Sequence, residues 1–316
     1  MSGKEKLNLT EGNRVDISGL EGSFIKIAEK YKEEGFSFDD SKYLESCYEK
    51  ALQILQADTI NMDDFADLYD VENDKKYIEK IEAKFSASNI EEEEKNAKIA
   101  TILEAILHEQ IEQNCYLGDN ITTKRTSRYD DIVNGIDDIL EIENEGHHRT
   151  ADHLAIVVDA TFSKDIEKKI KTIKEGNEGK TKLGIRGGEL GKLKYFESEF
   201  LDIRGEKKGI PKFILGIDRQ NLESITALWY ENRGNLLAKH PLQIIIIEEI
   251  IKQAEYFKDY ALGVGQKTIA QKYEKLYQIF TEIKKEKESE SAEILSKEDN
   301  KIIINNDGVY SAIKKL

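Results

Sequence analysis

Apolar residues recur at helical spacing through the first third of the chain. Helices are expected from Ser18 to Glu34 and from Ser41 to Gln56, where Tyr43, Leu44, Cys47, Leu52 and Leu55 fall on one stripe and Asp39, Asp40 and Ser41 are available as caps. Tyr77 to Phe85 continues the pattern with Ile78, Ile81 and Phe85. A longer helix is expected from Asn89 to Cys115. Glu91 to Glu94 suit the positive end of its dipole, and Ile99, Ile102, Leu103, Ile106, Leu107 and Ile111 form a broad apolar face.

The pattern changes near Gly118-Asp119-Asn120, which breaks the helix and leads into a short basic loop of Lys124, Arg125 and Arg128. Ile139 to Ile142 and Leu154 to Phe162 then read as strands, joined by the hairpin-like connection EGHHRTAD. Ser163 can cap a helix to Lys174, with Ile166, Ile170 and Ile173 on one face. Lys192 to Phe196 and Pro211 to Ile217 look extended, and Asn221 to Tyr230 looks helical. Pro241 suits the start of a helix through Phe257, and a last helix runs from Gln266 to Lys287. The C-terminal KIIINNDGVYSAI is expected to pair as a hairpin around Asn306-Asp307-Gly308. The middle therefore reads as an α/β core, with helices on a mixed sheet. The implied organisation is a helical region over 1–88, the α/β core over 89–262, and a C-terminal helix with a hairpin tail over 263–316.

Composition narrows the class. In 316 residues there are two prolines and two cysteines, with 39% hydrophobic and 34% charged residues, which excludes collagen-like, disulfide-framework and membrane proteins. The apolar run from Leu242 to Ile251 is broken by Gln243, Glu248 and Glu249, and MSGKEKLNLTEGN lacks the apolar stretch of a signal peptide. A cytoplasmic protein is expected, with Cys47 and Cys115 reduced and buried. The net charge of −15 argues against a general nucleic-acid coat. The charge is uneven, however. Acidic clusters crowd the first hundred residues, where the helical region could meet a protein partner or a second copy, while Lys164 to Lys212 is lysine-rich, so one face could still be basic.

Two carboxylates are the most informative candidates. Asp137 opens one strand and Asp159 lies near the end of the next. If the two strands pair as a hairpin, the start of the first lies beside the end of the second, and both acids meet at one sheet edge. Such a pair suits a hard divalent cation, Mg²⁺ or Mn²⁺, which can hold a phosphodiester oxygen and activate water. An aspartate within an apolar strand is costly to bury without a partner.

The stretches YDDIVNGIDDILEIE at 129–143 and HLAIVVDATFS at 153–163, followed by a lysine-rich helix, resemble the PD-(D/E)xK nuclease superfamily, the restriction-endonuclease-like fold. The resemblance covers roughly Glu91 to Tyr230 and implies a DNA-cleaving enzyme, with Asp137 and Asp159 as metal-binding acids. The signature lysine of that family falls at Thr161. Either the lysine has migrated, to Lys194, Lys192 or Lys168 with Lys194 first, or the fold persists without catalysis as a binding or assembly protein. The family's helix-borne glutamate would be Glu104 or Glu109.

Plainer readings stand beside these. Asp130 and Asp131 could cap a turn before Gly135, with a metal role for the pair as the alternative and Asp131 as a candidate supporting residue. Asp137 could be a turn residue, Asp159 a structural acid, and Asp138 a solvent-facing neighbour. DNA contacts would fall to Lys124, Arg125, Arg128, Lys169 and Arg186, although the lysine run is as readily a solvated helix face. GNEGKT at 176–181 is no phosphate loop, because Lys174 stands where that motif needs glycine. His147 and His148 lack zinc-ligand spacing, and His153 could lie near the site.

Overall fold

The structure is a computed structural model that describes residues 14–20, 22–85, 91–144, 150–159, 163–176, 184–290 and 292–316. Four helices lead the chain: α1 (Phe24–Glu33), α2 (Ser41–Asp58), α3 (Val71–Phe85) and α4 (Glu91–Asn114). Asp40 caps α2, accepting the Lys42 and Tyr43 amides at 2.9 and 3.0 Å. The apolar stripe of α4 is wholly inward, from Ile99 to Ile111.

The strands β1 (Ile121–Arg125), β2 (Asp138–Asn144) and β3 (Thr150–Asp159) come next, then α5 (Ser163–Glu175), β4 (Gly191–Glu197), β5 (Arg204–Ile210) and β6 (Lys212–Gly216). The main sheet runs β1-β2-β3-β6, antiparallel except for the parallel β3–β6 pair, and β4–β5 forms a separate hairpin. The fold is therefore mixed α/β. The expected β2–β3 hairpin is present, registered from Asp138↔Ile156 to Asn144↔Thr150.

Alternation along β2 sends its side chains to two covered faces. Leu140 and Ile142 join the main core with the stripe of α4, whereas Ile139 packs with Leu193, Phe196 and Ile210 of the β4–β5 hairpin. The chain continues through α6 (Arg219–Tyr230), α7 (Gly234–Leu237), α8 (Leu242–Gly263) and α9 (Lys267–Glu290), then α10 (Ala292–Leu295), α11 (Glu298–Asn306) and α12 (Gly308–Ile313). One core cluster draws on residues from Val15 to Ile313, so the three expected segments share a single interior. Among the described residues no helix is long and apolar enough to cross a membrane.

Side chains and backbone from outside the sheet meet both of its edges. Ile60 donates its amide to the Arg125 carbonyl at 3.1 Å and Glu112 accepts the Thr123 amide at 2.6 Å, so β1 is held along its outer side. On β6, the Gln253 side chain accepts from Ile214 N at 2.9 Å and donates to Ile214 O at 2.7 Å. Glu249 accepts the Gly216 amide at 3.1 Å. Each buried backbone group met in this way avoids a desolvation cost.

Three expectations need correction. Residues 121–125 form a strand and not a basic loop; β-branched Ile121, Thr122 and Thr123 favour extension, and Ile121, Thr123 and Arg125 point inward. The C-terminal hairpin is replaced by α11 and α12. Gly308 does not take the positive φ that a two-residue hairpin turn requires, and Asp307 caps α12 by accepting the Val309 and Tyr310 amides at 3.0 and 2.9 Å. Of the cysteines, both free, Cys47 is buried and Cys115 only half-buried.

Candidate functional site

Three polar residues of α4, Glu104, His108 and Glu112, stand four apart and so share the face turned to β1 and β2. Glu112 holds the β1 backbone, as described above. Glu104 Oε2 lies 2.8 Å from the Arg125 guanidinium. Arg125 also approaches Asp131 and Asp138, each at 3.6 Å, and its buried NH1 has no hydrogen-bond partner. His108 faces Asp138 Oδ1 at 3.1 Å through Nδ1 and Asp58 Oδ2 at 3.2 Å through Nε2.

A single wide helical turn, Asp130–Asn134, delivers Asp131 to this cluster and ends at Gly135 with φ +61°, a conformation that favours glycine. The buried Asp130 anchors that turn. It accepts the Lys194 and Tyr195 amides at 2.8 and 3.0 Å, together with Ser127 Oγ and Asn134 Nδ2. Capping is thus its role, while Asp131 turns to Arg125 and to Arg128 at 3.0 Å.

Charge in the cluster is unbalanced. Burial pushes the Glu104 carboxyl up to about 8; Arg125 opposes this, while the negative charges of Asp137, Asp138 and Asp131 add to it. For Arg125, burial works against the charged form, but Glu104, Asp138, Asp137 and Asp131 more than compensate and raise its pKa. Burial likewise opposes a charge on His108, yet the hydrogen bonds and charges of Asp138 and Asp58 raise its pKa. Both partners of the ring are acceptors, so only the doubly protonated imidazolium can donate to each.

The expected site residues are distributed as follows. Asp137 is half-buried, one residue before β2, and its charge acts on both Glu104 and Arg125. Asp138 is 2% exposed and not solvent-facing, because helices and the β4–β5 hairpin cover both sides of its strand. Asp159 pairs through its backbone with Gly216 of β6, at the end of β3 nearest the start of β2. Glu104 belongs to the cluster, whereas Glu109 accepts Trp229 Nε1 at 2.5 Å. Thr161, His147 and His148 lie outside the described residues.

Lys194 is placed elsewhere. Its ammonium pairs with Asp74 of α3 and stands over the rings of Tyr69, Tyr129 and Tyr195 at 5.1, 5.0 and 5.7 Å. Lys192 and Lys168 are exposed on β4 and α5. His153 meets Glu141, the middle residue of β2, at 2.7 Å.

Among the expected DNA contacts, Lys124 pairs with Glu199, Arg128 with Glu82 and Asp131, and Arg186 Nε donates to Tyr260 Oη at 3.3 Å. Arg125 is buried, and Lys169 is half-buried on α5, where Ile166 and Ile170 point inward.

The residues that sequence reasoning passed over are His108, Asp58 and Arg125 as a buried cation. The available signal was the run of polar residues four apart inside the apolar stripe of α4. Within the cluster the carboxylates of Glu104, Asp131 and Asp138 face the Arg125 guanidinium, and Asp138 also faces the His108 ring. Among the described residues, no three carboxylate, histidine or cysteine groups are arranged to hold a metal ion. Comparison with protein-family models, with curated proteins and with solved structures found no match to this chain, so the site is read from its geometry.

Proposed function

We propose that the chain is a divalent-cation-dependent nuclease that hydrolyses DNA phosphodiester bonds, on a core resembling the PD-(D/E)xK superfamily. The observation that carries this reading is the β2–β3 register. It ends at Asp138↔Ile156, bringing the start of β2 beside the C-terminal half of β3, where Asp159 stands, with Glu104 in the same carboxylate cluster. Asp137 and Asp159 would hold Mg²⁺ or Mn²⁺, which when bound supplies phosphate charge neutralisation and an acidified water. Asp138 is oriented by His108 and Arg125, and Glu104 is held by Arg125. Lys194 would have to leave Asp74 to serve as the migrated lysine.

The test is Mn²⁺ calorimetry on the wild type and on Asp159→Ala, with plasmid and linear DNA cleavage scored in parallel. Binding and cutting that both vanish in the variant support the nuclease. A second reading, a nuclease-like core that binds or assembles without catalysis, is favoured by Arg125, whose guanidinium already supplies a cation 2.8 Å from Glu104. A folded wild type that binds no Mn²⁺ would select it.

A further inference from the structure

At the C-terminal end of α5, two cations meet phenol groups in place of carboxylates. The Lys174 ammonium donates to Tyr256 Oη at 2.8 Å and stands over the rings of Tyr256 and Tyr260 at 5.1 and 4.5 Å. Arg186 Nε donates to Tyr260 Oη at 3.3 Å. The two tyrosines lie four apart on α8 and so share one face of that helix. Among the described residues neither cation forms an ion pair, in a chain whose net charge is −15. Glu175 acts on Arg186 only through space.

The backbone that carries Arg186 is fixed from three sides. Ile185 beside it is wholly buried, and the Arg186 carbonyl accepts Gln266 Nε2 at 3.3 Å. Gly184 lies against the end of α5, so closely that a Cβ there would come within 2.5 Å of the Ile173 carbonyl oxygen. The guanidinium is therefore held next to the α5 terminus, where Lys174 stands.

We infer that Lys174, Arg186, Tyr256 and Tyr260 form a contact site for backbone phosphates of DNA. The inference rests on the nuclease reading for its ligand and deepens it, giving the substrate a foothold away from the carboxylate cluster. Each phenol oxygen already accepts a hydrogen bond, so its own O–H remains to donate. The guanidinium and the ammonium keep further N–H donors, and a set rich in donors without a carboxylate fits an oxyanion. The planar guanidinium fork matches two phosphate oxygens. Lys168 and Lys171, both exposed on α5, stand three apart from each other and from Lys174, which places the three in one slanting row. The thirteen residues of α5 span about 20 Å, from just beyond the end of β3 to this site. Such a row suits a linear polyanion better than a single small phosphate.

A purely structural latch, with Lys174 tying α5 to α8, predicts lost stability and no change in how DNA binding depends on salt. A phosphate contact predicts the change. Each contact contributes about one to the slope of log affinity against log salt, whatever the DNA sequence.

The experiment measures binding of a short labelled duplex by fluorescence anisotropy across a salt series, in EDTA so that no cleavage is needed. The full chain is compared with Lys174→Gln, Arg186→Gln, Arg186→Lys and Tyr260→Phe, with thermal unfolding read alongside. Expected is weaker binding in each Gln variant, with the slope reduced by about one. Arg186→Lys should restore the slope, and Tyr260→Phe should weaken binding with the slope unchanged. Folded Lys174→Gln and Arg186→Gln that keep the wild-type affinity and slope overturn the inference, and the nuclease reading stands. A wild type that binds through these residues but cuts nothing with Mn²⁺ overturns the nuclease reading and leaves this site standing. A wild type that binds no DNA overturns both. Inorganic phosphate that displaces the duplex as well, phosphate for phosphate, as unlabelled DNA does would overturn the choice of a linear polyanion. Should Lys174→Gln fail to fold, Arg186→Gln decides alone, because Arg186 is exposed.

Discussion

Glu104 on α4 and Arg125 on β1 form a largely buried pair, 2.8 Å apart, within a group of carboxylates that outnumbers its cations. The carboxyl of Glu104 is pushed from the ordinary 4.5 up to about 8, first by burial. The native protein therefore keeps a proton that the unfolded chain releases above pH 4.5. The stability this contributes is fully present below pH 4.5 and is lost as pH rises through about 8. Glu104→Gln, a permanently neutral replacement, should flatten the dependence across that window. Urea unfolding at intervals from pH 5 to 9 checks it, and an unchanged slope in the variant would refute the assignment.

Removing the cation should be more damaging than removing the acid. Arg125→Met leaves the buried Asp138 carboxylate without the guanidinium, and the expected loss is about 3 kcal/mol. Calorimetric or urea unfolding at neutral pH measures it. Arg125→Lys should recover only part, since an ammonium cannot present donors to Glu104, Asp131 and Asp138 from one plane.

Much of this architecture was legible in the chain. The helices α1 to α5 and the β2–β3 hairpin follow from apolar spacing, while Asp137, expected to open the first of these strands, lies one residue before β2. The misreadings share a cause. Arg125, Asp138 and Asp307 are polar residues whose burial depends on partners distant in sequence, and local grammar assigns such residues to loops, solvent and turns. Arg125 is satisfied by Glu104, and Asp307 by Asp218 and Asn221 as well as by its own helix. Glu104 and Glu109 could not be separated by spacing, because both lie on helix faces that meet other elements; only the tertiary packing sends one to Arg125 and the other to Trp229.

Asp307 is more than a helix cap. Besides the Val309 and Tyr310 amides it accepts from Asp218 N at 3.0 Å and Asn221 Nδ2 at 2.8 Å, tying α12 to the start of α6. Asp307→Ala should therefore cost about 2 kcal/mol or more, at the upper end for a lost cap. Thermal unfolding tests this, and a loss under about half a kcal/mol would show that the four contacts are replaceable by water.

The outer edge of β6 offers a test of how a buried strand is closed without a neighbouring strand. Gln253 imitates a peptide group, giving and taking one hydrogen bond with Ile214. Gln253→Leu leaves an amide and a carbonyl unpaired in the core, with an expected loss of about 2–4 kcal/mol. Gln253→Glu keeps the acceptor but sets a carboxylate against the Ile214 carbonyl, so it should rescue little. Full rescue by Glu would show that the carbonyl needs no donor.

Lys194 separates structural from catalytic duty most directly. Its ammonium and the Tyr195 hydroxyl both meet Asp74, which is 7% exposed, so the lysine links β4 to α3 beneath three tyrosine rings. Lys194→Met keeps the apolar bulk and removes the charge. The expected stability loss is about 1–2 kcal/mol, from a half-buried ion pair and weakened ring contacts. On the nuclease reading, cleavage by the folded variant should fall less than tenfold, since the amine is already committed to Asp74. A hundredfold fall in kcat with unfolding unchanged would mean that Lys194 leaves Asp74 during turnover and acts on the substrate. In that case Asp74→Asn, which loosens the pair without touching the amine, should raise kcat and not lower it.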